Sequence, residues 1–447
     1  MTKKIFALVS LLLTVAFVLS ACGTAAPTAT EAPADTAVPA TEIPAVTNTP
    51  APVTVTWWHI NTADTEKAYW QSQADAYMAL HPNVTIEITV LENESFKAKL
   101  TTVMQGGTPP DISQSWGGGV MNEYAKAGML KDITADLAVD GWGDTFAPGA
   151  LGLYSFEGKN YGVPRDMGMV GFWYNKALFT QAGIATPPTT WTEFLADVKL
   201  LKAAGITPIA LGGKDKWPGA FYWEFLATRI GGKAAFDAAY SRKGAFTDAP
   251  FVAAGKALAD LVALQPFQDG FLGAGYGDEA TLMGNGKAAM ELMGHWAPGV
   301  MKDNSADKKG IGDNLGWFAF PAAEGGAGNP TDALGGGNGW QIGKNASPEA
   351  VDFVRYITSV EAQRAETKVG LAIPVVKGAG DALDDPLKKI IQHNVEIAPY
   401  FQLYYDQAMP PAVGSVINDS VQGIFAGTMT PEQVAQAVED SAKQEIK

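Results

Sequence analysis

Apolar and polar positions alternate with a period of two from Val53 to His59 (VTVTWWH), which predicts a half-buried strand. The next stretch, DTEKAYWQSQADAYMALHP, changes period. Tyr69, Ala76, Tyr77 and Leu80 fall on one helical face, Asp64 offers a cap, and Pro82 stops the helix. NVTIEITVL (83–91) returns to strand, ESFKAKLTTVMQGG (94–107) to helix, and DISQSW (111–116) to a short third strand. Strand and helix alternating at this spacing predict a parallel sheet with helices on its faces. Ligands of such sheets sit beyond the carboxyl ends of the strands, which points to Trp57–Asn61 and Gln114–Trp116 together.

A second unit begins after YGVP (161–164). MGMVGFWYN (167–175) reads as a strand. TWTEFLADVKLLKAAG (190–205) reads as an amphipathic helix capped by Thr190 or Thr192 and ended by Gly205. TPIALGG (207–213) is a further strand, helical patterns cover 219–230 and 250–264, and KAAMELMGHW (287–296) is a strand that breaks at Gly294. A glycine-rich stretch runs from Gly325 to Gly339. Helices are expected over 347–366 and 430–444, and no tandem repeat is visible.

The N-terminal pattern is of another kind. Lys3 and Lys4 precede an apolar run from Ile5 to Leu19, too short for a comfortable membrane span, and then LSAC ends at Cys22. This resembles a bacterial lipobox and implies cleavage before Cys22 and lipidation of its thiol. An ordinary secretory signal with an incidental cysteine is the other reading. Residues 22–52 are almost all Ala, Thr, Pro and a few acids. They lack an apolar period and form an extended linker.

Composition narrows the chemistry. In 447 residues, 47% are hydrophobic, enough for more than one packed lobe. The net charge of −15, without a Lys/Arg run, argues against a nucleic-acid partner. A single cysteine excludes intrachain disulfides and cysteine metal cages. His59, His81, His295 and His393 are far apart, with no H-x-x-x-H pair, so no zinc site and no cofactor is expected. GNGKAA (284–289) fails as a phosphate loop, because Thr281 stands where the first glycine belongs and Ala288 where Ser or Thr does. No G-x-S-x-G elbow occurs. With 47 acids in the chain, a glycosidase carboxylate pair stays open.

What remains is tryptophan beside polar residues or glycine: Trp57, Trp58, Trp116, Trp173, Trp217, Trp223, Trp296 and Trp340. A tryptophan face complements the C–H face of a sugar, and amides and carboxylates complement its hydroxyl rim. Each ring is as readily explained by the core. Trp116, before GGG, and Trp296, in GHWAPG, favour a site, since glycines clear the approach to the ring.

PPDISQSWGGGVMNEYAKAGMLKDIT, GKNYGVPRDMGMVGFWYNKALFTQAGIATPPTTWTEFLADVKLLKAAG, GNGKAAMELMGHW, FAFP and GGGNGWQIGKNASPEAVDFVRYITS follow one another in the order seen in family-one extracellular solute-binding proteins, the sugar-capturing subunits of ABC importers. The resemblance covers about residues 53–430. It implies an α/β, two-lobe, periplasmic-binding-protein-like fold with a multi-segment hinge and a ligand cleft between the lobes. It also implies a mono- or oligosaccharide ligand, ABC permease subunits as partners and no catalysis. A monomer held by its lipid at the extracytoplasmic face of a bacterial membrane is expected. Crossings are expected near Pro164, Gly294 and Gly335, placing 53–165 with 290–334 in one lobe and 166–289 with 335–447 in the other.

On this reading His59 and Asn61 meet sugar hydroxyls from the first strand end, and Gln114 and Trp116 from the third. Asp166 takes a hydroxyl pair, and Arg165 binds sugar or pairs with Asp166. Trp217 and Trp223 stack from the second lobe, Trp296 is the platform at the second crossing, Asn338 contributes from the third, and Asp406 joins from LYYDQAMPP. A secreted carbohydrate-active enzyme, glycosidase or lyase, and a binder of a non-sugar solute are the alternatives.

Overall fold

The computed structural model describes residues 51–446. The expected leader 1–21, Cys22 and most of the linker to residue 52 lie outside the described residues. The first sheet has five strands in the order Val84–Val90, Val53–His59, Ile112–Ser115, Gly339–Ile342, Gly162–Pro164. The first three are parallel, with Trp57 opposite Ile88 on one side and Ile112 on the other. Gly339–Ile342 runs antiparallel to both of its neighbours. The period-two strand does what its pattern requires. Val55, Trp57 and His59 point into the core and are buried, while Trp58 faces the other way, half-buried under the Lys99 ammonium 4.4 Å from its ring centroid. Trp57 packs edge-on against Trp70, Trp340 and Phe353 at 5.0–5.4 Å.

The second sheet has four strands, in the order Leu315–Phe318, Gly171–Asn175, Ala288–Met293, Thr207–Ile209. The helix Trp217–Tyr240, whose first half is buried almost all round, packs against its strand Ala288–Met293. The helix Trp191–Ala203 opens on a capping box in which the Thr190 side chain accepts from the Glu193 N–H and Glu193 reaches back. The expected helix 347–366 is two, Pro348–Ile357 and Val360–Lys368, because Ser347 and Ser359 each cap a separate start.

A three-stranded sheet joins these layers, in the order Phe401–Leu403, Ala333–Gly336, Gly168–Met169. Each strand comes from a different passage of the chain between the two larger sheets. The expected single strand 167–175 is thereby divided: Gly168–Met169 pairs with Ala333–Gly336, and Gly171–Asn175 enters the second sheet. Close packing here demands glycine. A Cβ on Gly335 would lie 2.2 Å from the Gly168 carbonyl oxygen, and one on Gly168 would lie 2.1 Å from His295 Nδ1.

Strand pairing corrects the expected assignment of 290–334 and 335–447. Leu315–Phe318 pairs with Gly171–Asn175, so it belongs with the second sheet. Gly339–Ile342 pairs with Ile112–Ser115, and Val351, Phe353 and Val354 pack in the first core with Trp57. The helices Pro411–Phe425 and Pro431–Glu445 pack in the second core. Gly294 is not a crossing. The chain there turns from Ala288–Met293 into the helix Ala297–Asn304, whose Ala297 and Met301 stay in the second core. The third passage runs instead from Ala379, in the first core, to Phe401–Leu403.

Candidate binding cleft

A cleft of about 450 Å³ opens where strand ends of both large sheets converge. Asn61 follows the end of Val53–His59, Trp116 follows Ile112–Ser115, Asn338 precedes Gly339–Ile342, and Trp296 follows Ala288–Met293. Of the residues expected from sequence, Asn61, Trp116, Arg165, Asp166, Trp217, Trp296, Asn338 and Asp406 line it. His59, Gln114 and Trp223 do not.

Each of these three has a structural task. His59 is fully buried edge-on to Trp57 at 5.0 Å. Burial, then the Arg165 charge, pushes its pKa down to about 3, so the ring is neutral. Its Nδ1 accepts the Asn61 backbone N–H at 3.3 Å and so fixes the loop that carries Asn61. Gln114 is buried and donates from Nε2 to Asn338 Oδ1 at 2.9 Å. Trp223 is in the second core, and its indole N–H donates to the Phe251 carbonyl at 3.2 Å. The helical period of Trp217–Tyr240 turns Trp223 inward while Trp217, at the helix start, meets the cleft.

The polar floor is a relay. Asn338 donates from its backbone N–H (2.9 Å) and from Nδ2 (2.9 and 3.1 Å) to the Asp166 carboxylate, and His295 Nε2 lies 3.2 Å from Asp166 Oδ2. Burial raises the Asp166 pKa, but His295, Asn338 and Arg165 outweigh it and hold the carboxyl below its ordinary value. Asp166 is thus already occupied by protein groups. Arg165 forms a buried ion pair with Glu366, donates from Nη1 to Asn61 Oδ1 at 3.2 Å, and stacks over Trp70 at 4.8 Å. Because the guanidinium takes Oδ1, the Asn61 Nδ2 is left as a donor, and it has no protein partner.

Aromatic faces and free polar atoms make up the rest. Trp217 is edge-on to Tyr276 (5.3 Å) and Phe221 (5.5 Å), and Trp296 is edge-on to Tyr404 (6.4 Å). Buried polar atoms without a partner include Trp217 Nε1 and the hydroxyls of Tyr276 and Tyr404. Trp116 is half-buried, with Lys97 Nζ 5.7 Å from its ring centroid. Lys97 also lies 3.5 Å from Asp406 and 3.2 Å from Glu94. Sequence reasoning missed Glu66, Asn93, Tyr276 and Tyr404, all of which line the cleft. Tyr404 stands in the same LYYDQ stretch as Asp406 and was legible there. Glu66 and Tyr276 sit at helix starts that carry no distinguishing pattern. Among the described residues no group of three or more His, Cys, Asp or Glu is placed to hold a metal ion.

Comparison with known proteins agrees with this architecture. The family model of bacterial extracellular solute-binding proteins matches residues 62–364. An uncharacterized ABC transporter extracellular-binding protein of Pyrococcus horikoshii is 27% identical over 377 residues, covering 82% of this chain and 81% of that protein. The multiple sugar-binding protein of Streptococcus mutans is 27% identical over 320 residues, covering 67% of this chain and 73% of that one. A solved chitin oligosaccharide binding protein superposes with a TM-score of 0.82 at 30% identity, over 88% of this chain and 99% of that chain.

Proposed function

The chain belongs to the bacterial extracellular solute-binding proteins, and we propose that it captures an oligosaccharide in its cleft and delivers it to the permease of an ABC importer. One observation carries the sugar reading. Trp116, Trp217, Trp296 and Tyr404 bring aromatic rings to a cleft that also holds the partnerless Asn61 Nδ2, Trp217 Nε1, Tyr276 Oη and Tyr404 Oη. Flat apolar faces beside unsatisfied donors and hydroxyls match the two kinds of surface on a sugar ring. The sugar-binding names of the Streptococcus mutans relative and of the chitin oligosaccharide binding structure support it.

The lobes in this reading are 53–164 with 339–379, and 171–332 with 401–446, joined through the three-stranded sheet. Ligand contacts from both lobes exist together only in the closed form, so sugar shifts the population toward closure by that difference in affinity. Asn61, Trp116, Trp217, Trp296 and Asp406 are the direct contacts. Arg165, Asp166, Asn338, Gln114 and His59 hold the frame. Lipidation at Cys22 tethers a monomer beside the permease at the extracytoplasmic face, and no covalent step is assigned to the cleft.

A thermal-shift screen of mono- and oligosaccharides tests the reading. A ligand at 100 times its Kd adds about 2.7 kcal/mol of stability. The expected result is a stabilising oligosaccharide that quenches or shifts tryptophan fluorescence at one equivalent and yields no new reducing ends. New reducing ends would favour an enzyme, and stabilisation by no sugar would remove the reading.

A further inference from the structure

The charged groups around the cleft are unequal. Glu66, Glu92, Asp166, Asp215 and Asp406 line it, against Arg165, Lys97 and Lys214. Two of the three cations are committed to protein carboxylates, and two of the five carboxylates are committed as well, Asp166 to His295 and Asn338 and Asp406 to Lys97 and Asn418, which leaves Glu66, Glu92 and Asp215 against Lys214. Arg165 is paired with Glu366, which lies behind it, and Lys97 is shared between Glu94 and Asp406. Lys214 is exposed at the rim next to Asp215. Glu66 has no cation in ion-pair distance, and Asp215 receives only the Tyr276 backbone N–H, at 2.8 Å. Burial raises the pKa of Glu66, opposed by Arg165, and both Asp303 and Asp166 raise it further by like-charge repulsion. Asp215 is raised by burial, and by Glu92 and Asp278, against the Tyr276 N–H and Lys214, which lower it. The lining is thus net acidic, with five carboxylates against three cations.

Resting on the sugar reading above, we propose that this cleft selects by charge: it accepts neutral or amine-bearing oligosaccharides and rejects those carrying carboxylate or phosphate, with Glu66 and Asp215 as the specificity-determining residues. A carboxylate on the ligand would enter a partly desolvated space beside like charges, where Coulomb repulsion is least screened. Hydroxyls and ammonium groups instead find acceptors there. Discrimination of this kind comes from a repulsive element added to a surface that is otherwise complementary.

The test begins with titration calorimetry of neutral trisaccharides: xylotriose, maltotriose, cellotriose and N-acetylated chitotriose. Whichever binds is then compared with a trisaccharide of the same linkage carrying one uronate ring and with one carrying one amine, at 20 mM and 500 mM NaCl. The uronate ligand is expected to bind at least tenfold more weakly at low salt. It should recover toward the neutral ligand at high salt and in Glu66→Gln and Asp215→Asn. The amine ligand should bind at least as tightly as the neutral one. A uronate ligand that binds as well as its neutral counterpart overturns the inference while leaving the sugar reading intact. So does a deficit unmoved by salt and by both substitutions, since that deficit is steric. If no neutral sugar binds but an acidic one does, the inference is overturned and the sugar reading stands; if neither kind binds, the sugar reading fails and this inference falls with it.

Discussion

Two glutamates are buried together below the cleft with no cation beside them. Glu291, from the strand Ala288–Met293, and Glu279, from the helix Tyr276–Gly284, are both fully buried. Glu279 Oε2 accepts the Gly212 N–H at 2.6 Å, whereas Glu279 Oε1, both Glu291 carboxyl oxygens and the Tyr222 hydroxyl have no partner. Burial pushes the Glu291 pKa from 4.5 to about 8, and burial together with its neighbour Glu291 raises that of Glu279. The folded state then holds a proton that the unfolded chain releases above its ordinary carboxyl pKa. Between about 4.5 and about 8 the unfolded state binds fewer protons, so stability falls as pH rises and levels off above the folded value. At about 1.4 kcal/mol per pH unit, that interval amounts to a loss on the order of 5 kcal/mol. This is a large part of a typical domain's stability. Urea denaturation followed by tryptophan fluorescence at constant ionic strength reads it directly. The wild-type midpoint is expected to drop from pH 5 to about pH 8, and the Glu279→Gln/Glu291→Gln double variant, which mimics the protonated pair, should show a distinctly shallower slope, the remainder coming from the buried Glu224 and Glu366, whose pKa values burial also raises. A wild-type midpoint that is flat or rises over this range would refute the argument, as would an unchanged slope in the double variant.

Trp296→Ala removes the ring beside Tyr404; on the proposed reading it should weaken sugar binding by roughly 1–3 kcal/mol, about 5- to 150-fold in Kd by calorimetry. Unchanged affinity would place the ring outside the binding surface. Glu366→Ala leaves the Arg165 charge buried and unpaired. The expected cost is about 3–5 kcal/mol of stability in urea denaturation, and a cost below ~1 kcal/mol would show that water reaches the guanidinium. Gly168→Ala sets a Cβ 2.1 Å from the His295 ring, so the hinge must shift. A loss of about 1–3 kcal/mol in stability is expected together with altered sugar affinity, and a variant indistinguishable from wild type in both measurements contradicts the packing described.

Periodicity was enough for the strand Val53–His59, the helix Asp64–Leu80 and the alternating strands and helices that follow, because local patterns report which face is buried. Order of motifs was enough for the two-lobe class. The rule that sites lie past strand ends pointed to Asn61 and Trp116, and the glycines around Trp296 in GHWAPG pointed to that ring; all three line the cleft. The period-two alternation also fixes how Trp57 and Trp58 divide. Trp57 and Trp58 had to point to opposite faces, and they do. What remained to the tertiary structure was everything that depends on pairing between distant segments. Leu315–Phe318 and Gly339–Ile342 could not be assigned to a sheet from their own residues, since a short apolar strand is compatible with any open edge. The role of a polar side chain was equally hidden. Asp166 looks like a ligand contact until Asn338, 172 positions away, is found to donate to it. Arg165 likewise looks free until Glu366, 201 positions away, is found beside it. A sequence determines which groups exist and on which face of an element they lie. Only the folded chain decides which of them are left without a partner, and those are the ones a ligand can use.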